Sequence, residues 1–298
     1  MPDAPVPPQP PGPPLRAMVD ARVTCPFVGS AVLGGLLPAA GAPDAPVARV
    51  AELAALGDTG GGDLGAILAF FARANHGWLP GADRSAASLL PDGLFSLDFP
   101  GSQGSHPGHS GILEADPAVV ASGRFDADAY ARLTGRAQAG VIPRAEFGAY
   151  IAANLVRDPK STVLGWRAIG GLGLRLAGVV GEVAWLALRR IERAPDARLR
   201  TLDAAIGRLL AADNLLGSAG EFALLFALLQ PSPRTRTVRG APALSTADLD
   251  ALFVERRLPE GWDAWRKTAG AWAWNLVCLA AAALVAYRRL ARAKGGAR

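Results

Sequence analysis

The sequence predicts a mainly α protein built around a single helical domain. Three observations lead there. Period-2 runs of β-branched or aromatic residues are almost absent, whereas apolar stretches at helical spacing recur between Gly/Pro/Ser loops. The chain has 298 residues, half of them hydrophobic, enough for a core that needs no disulfide or metal staple. Charged residues make up 19%, below the roughly 25% usual for soluble domains, so part of its surface or interior is apolar for a cofactor, a partner or a membrane.

The elements follow in order. Residues 1–22 begin MPDAPVPPQPPGPPLR and read as a Pro-rich disordered or polyproline tail, because proline sustains neither a helix nor a ladder. The helical domain is expected over 23–266, and a hydrophobic C-terminal helix with a basic tail over 267–298. Predicted helices run from Pro26 to Gly34, Val47 to Leu56, Leu64 to Ala74, Asp126 to Ala139 and Arg144 to Arg157. Further helices are expected from Ser161 to Ala194, Ala197 to Leu210, Ser218 to Leu229, Thr246 to Glu255 and Glu260 to Ala293. Asp126 is a cap for the helix it opens, Pro143 precedes an amphipathic run, and Ser245-Thr246 with Asp248 supplies a cap and a first-turn acid. Between Gly77 and Pro117 lies a long stretch without periodicity, of the kind that more often carries function than idles.

Charge narrows the partners. Basic residues number 31 against 26 acids, but Arg288, Arg289, Arg292, Lys294 and Arg298 all follow Tyr287 and meet no acid there. The rest of the chain is neutral, so the pI near 9.7 describes a basic end on a balanced body and gives no reason to expect nucleic acid. Cys25 and Cys278 cannot make a disulfide framework, and the N-terminus lacks the basic and apolar regions of a secretory signal. These features predict a cytoplasmic protein with free thiols. Residues 269–287 carry no charge, and this length can just span a bilayer; membrane association through them stands beside a docked helix as an expectation.

Several clusters carry chemistry. Pro26 suits the first helical position and puts Cys25 at the N-cap, where free N–H groups and the helix dipole stabilise a thiolate; a small packed cysteine is the other reading. Ser105-His106-Pro107-Gly108-His109-Ser110 holds two of the three histidines, suited to acid/base or orienting work or simply to a turn. Zinc would need further ligands, with only His76 as an outside candidate. Glu221 opens the apolar run that starts at Phe222: either a carboxylate tuned by burial or a first-turn acid stabilising the helix. Gly60 to Gly65 contains G-x-G-x-x-G, but a helix rather than a strand is expected before it, so it reads as a loop and not as a dinucleotide site.

Taken in chain order, these pieces resemble the chloroperoxidase and unspecific peroxygenase family of heme-thiolate enzymes. Cys25-Pro26 followed by Gly35-Leu36-Leu37-Pro38 is similar to the family's Cys-Pro…Gly-Tyr-Leu-Pro segment. Gly108-His109-Ser110 falls where the family has Glu-His-Asp or Glu-Gly-Asp, Gly220-Glu221 where it has Gly-Glu, and Phe253 to Trp262 is similar to its closing Glu-Arg-Leu-Pro…Gly-Trp. The resemblance implies a heme b bound by Cys25 as the iron ligand, with Pro26, Phe27 and Phe222 around it. It also implies Glu221 as distal acid/base, His109 as its partner and His106 in reserve. The expected co-substrates are hydrogen peroxide and a small organic molecule. Gly108 and Ser110 replace the carboxylates that in the family help hold a second metal ion, so the resemblance supplies no carboxylate ligands for that ion here. Asn214 replaces the Arg some members place seven residues before the distal acid, which aligns this chain with members that pair a His with the Glu. The alternative is a non-enzymatic, membrane-associated protein on the same scaffold.

Overall fold

The computed structural model describes residues 13–23, 25–77, 90–91, 93–98, 125–157, 163 and 214–295. The predicted helices over 161–194 and 197–210 lie outside these, as do His106 and His109. Nine α-helices and two small antiparallel sheets are found among the described residues, so the mainly α class holds.

Helix α1 (Pro13–Arg22) occupies part of the stretch assigned to the tail. Val19 and Val23, one turn apart and fully buried, seat it against α2 (Pro26–Leu33), which accounts for helix where proline content suggested none. Next come β1 (Ala40–Ala42) and β2 (Ala45–Arg49), and the chain then runs directly into α3 (Val50–Gly57). The sequence reading began that helix at Val47. Instead Pro46 and the alternating burial of Ala45 to Arg49 make a strand, and Val47 to Arg49 pair with β3 (Leu94–Ser96). A glycine-rich turn leads to α4 (Gly65–His76).

Asp126 caps α5 (Ala127–Thr134) by accepting from the Ala129 N–H at 2.8 Å. That helix stops at Gly135, short of the expected Ala139. The chain turns through Ala139 and Gly140, both at positive φ, into β4 (Val141–Pro143). Then α6 (Arg144–Arg157) has the expected bounds. After α7 (Asn214–Leu229), β5 (Arg236–Val238) and β6 (Ala241–Ser245) form a hairpin through Arg239-Gly240. Positive φ at both turn residues is the twist-matched two-residue geometry. Strand β6 also pairs with β4 and feeds α8 (Thr246–Phe253), whose cap is Ser245.

The final helix is shorter than the sequence suggests. Where one helix was expected from Glu260, a single 3-10 turn at Trp262–Ala264 and an extended link precede α9 (Ala269–Gly295). Gly261 takes a left-handed φ of 75°, and Lys267 turns inward to bind backbone carbonyls, which breaks the ladder. Helix α9 packs along α6 and α7, burying Trp272, Leu276, Leu279 and Leu284. Gly148 permits the close approach, since a Cβ there would lie 2.7 Å from the Ala282 methyl. The C-terminal helix therefore shares the core of the domain. By length and composition alone it is also apolar enough to cross a membrane.

Candidate functional site

Cys25 is the N-cap of α2, with extended backbone (φ −71°, ψ 117°) and Pro26, half-buried, in the first turn. The helix behind it is buried from Phe27 to Leu33, so the sulfur stands where the chain emerges from the core. Burial pushes the thiol pKa up from its ordinary value. The backbone N–H groups of Val28 and Phe27 pull it back, although neither closes into a full side-chain cap. Glu221 pushes it up by charge repulsion, and Arg256 pulls it down. Thus the fold brings Cys25 and Glu221, far apart in sequence, within electrostatic reach of each other.

Glu221 lies about two turns inside α7, whose described part already starts at Asn214 rather than at Ser218. The first-turn alternative is thereby removed: a carboxylate at this depth gains little from the dipole. It is half-buried on an otherwise apolar helix. Its neighbour Gly220 accepts a hydrogen bond from Trp272 Nε1 at 3.2 Å, and Trp272 stands edge-on to Phe71. A Cβ on Gly220 would meet nothing closer than the tip of Phe71, at 4.0 Å.

The other expected residues divide. Phe27 is buried with its ring 5.2 Å from that of Trp262, two positions past the thiol. Phe222 packs against Phe147 and Tyr150 in the core between α6 and α7, a place the helical offset from Glu221 dictates. It is 1% exposed there. His106 and His109 are outside the described residues. His76 ends α4, edge-on to Phe95. Among the described residues no group of three or more His, Cys, Asp or Glu side chains gathers as a metal site.

Sequence reasoning missed Arg256, Trp262 and Lys267 as buried polar groups. Arg256 is packed against α2, and Trp262 Nε1 is buried without a hydrogen-bond acceptor. Both fall inside the segment from Phe253 to Trp262, but nothing in residue type or spacing announces their burial.

No family model, no curated protein and no solved structure matches the chain.

Cys25, facing helix N–H donors, and Glu221, within charge range of it, are donor types that a heme-thiolate group would need. A metal cation bound at the sulfur would offset the burial penalty on the thiolate.

Proposed function

We propose that the chain is a heme-thiolate peroxidase or peroxygenase, oxidising a small organic substrate with hydrogen peroxide. The observation that carries this reading is the convergence of Cys25, at a helix N-terminus, with Glu221, inside an apolar helix. Bound at Cys25, heme b supplies the redox chemistry of peroxide cleavage, which a thiolate ligand favours. The chain's own residues supply the rest. The Val28 and Phe27 N–H groups hold negative charge on the sulfur. With the heme in place, the Glu221 carboxylate would hold a proton taken from hydrogen peroxide and hand it back. Trp272, edge-on to Phe71, binds the Gly220 carbonyl one residue before that carboxylate. The resemblance gives His109, with His106 in reserve, the work of orienting it.

The test is spectroscopic and kinetic. Full-length protein supplied with heme is expected to give a thiolate-type spectrum with carbon monoxide after reduction, and Cys25→Ala to lose it. Glu221→Gln is expected to keep that spectrum while peroxide-dependent turnover falls about 10²–10⁴-fold. A wild-type protein that takes up no heme, or a Cys25→Ala protein with an unchanged spectrum, overturns the proposal.

An exposed apolar face on α9 favours a further part of the reading. The protein is cytoplasmic and meets a membrane through 269–287, by lying on it. Trp274, Val277 and Val285 are exposed along one face, while the opposite face belongs to the core. Asn275 is held by Arg144 and Gln230, bonds that insertion would break.

A further inference from the structure

Arg256 lies between α8 and the Trp262 turn, 7% exposed, with its backbone at a left-handed φ of 54°. Such a conformation is costly for a non-glycine residue and persists where the surroundings fix a side chain in place. Its guanidinium reaches α2. The Nη1 atom lies 3.3 Å from where a Gly29 Cβ would stand, so the missing side chain makes its room, and its charge acts on the Cys25 thiol.

Among the described residues Arg256 makes no side-chain hydrogen bond and no ion pair. Asp20 acts on it by charge but gives its hydrogen bond to Arg16 at 3.2 Å, and Glu255 pairs with Arg257. A guanidinium withdrawn from water without a hydrogen-bonded anion is strongly unfavourable, and its planar fork matches a carboxylate in two parallel hydrogen bonds.

We infer that Arg256 binds a carboxylate at the Cys25 end of α2. The carboxylate comes either from a propionate of the heme or from a small organic acid. Only the first source rests on the heme-thiolate reading.

Two titrations on the full chain test this. Heme and its dimethyl ester, which has both carboxylates blocked, are compared by absorbance; benzoate is added separately while the melting temperature is followed. The expected result is that free-acid heme binds about 10-fold or more tightly than the ester. Arg256→Gln should erase that preference and leave ester affinity within about twofold. The wild-type comparison needs no variant, so it stands even if Arg256→Gln fails to fold. If both hemes bind alike but benzoate raises the melting temperature of wild type and not of Arg256→Gln, the carboxylate site holds and its ligand is a free acid. If the hemes bind alike and benzoate has no Arg256-dependent effect, the assignment is overturned. Heme bound with the Cys25 signature but without ester discrimination or benzoate effect removes this inference and leaves the enzymatic reading. An Arg256-dependent benzoate shift without heme uptake does the reverse.

Discussion

Lys267 is fully buried, donates to the carbonyls of Trp262 (2.9 Å) and Trp265 (2.7 Å), and lies 3.9 Å over the Trp262 ring. Burial lowers its pKa to about 8, against the opposing pull of Asp263. Between about pH 8 and 10.5 the unfolded chain therefore carries a proton here that the folded chain has released, so this residue makes stability rise with pH across that window. Cys25 and Tyr130, whose pKa values burial raises, act in the opposite sense above about pH 9. Comparison with Lys267→Met cancels their effect. Denaturant unfolding at about pH 7.5 and about pH 10 should show wild type gaining on the order of 1–3 kcal/mol relative to Lys267→Met. A constant difference between the two proteins across that range contradicts the linkage. Of the residues that define the site, Cys25 was legible because Pro26 fixes a helix start, and Glu221 because a lone carboxylate interrupts an apolar run. Arg256 and Lys267 were not, since one Arg or Lys in a chain looks like any other until the fold withdraws it from water.

At the scale of elements, the glycine run from Gly60 to Gly62 is explained by packing. A Cβ on Gly60 would lie 2.2 Å from the Trp265 carbonyl oxygen, and one on Gly62 would lie 2.0 Å from that of Lys267. The run is the seat on which the link before α9 rests. Asp63 secures it: its N–H donates to the Lys267 carbonyl, and its carboxylate accepts from the Ala269 N–H at 2.7 Å. Gly62→Ala should thus cost about 1–3 kcal/mol, read as a lowered melting temperature, because the clash is with backbone and cannot be relieved by a rotamer. An unchanged melting temperature contradicts this packing. The sequence reads the run as a loop, and the seat was out of its reach, because the segment it holds comes about two hundred residues later. The helices of high periodicity, α2, α4, α6 and α8, were legible nearly to the residue. The short strands were not, since three-residue ladders such as β3 and β4 are held by tertiary pairing rather than by a pattern of their own.

Over the whole molecule, α9 has one face in the core and the other open, with Trp274 63% exposed. The helix has no acidic residue, and Arg289, Arg292 and Lys294 follow the apolar face at its end. An aromatic anchor at one end and basic residues at the other suit contact with an anionic lipid surface. Full-length protein should sediment with vesicles containing phosphatidylglycerol and much less with phosphatidylcholine alone, and Trp274→Ser should weaken this about tenfold or less without changing far-UV circular dichroism. An alkaline carbonate wash should release the bound protein. Retention after the wash indicates a spanning helix, and a dimer lost on Trp274→Ser indicates a second copy as the occupant; either result overturns the surface reading.

The sequence alone determined the helical class, the main helices, the thiol at a helix start, the carboxylate on an apolar helix, and the confinement of net charge to the C-terminal end. These are local properties, set by spacing, capping and composition within a few turns of chain. Only the tertiary structure decided that Cys25 and Glu221 come within charge range of each other, that Arg256 and Lys267 are withdrawn from water, and that one face of α9 completes the core. Each depends on contacts between distant segments, whose burial changes what a charged side chain can do while leaving its letter in the sequence unchanged.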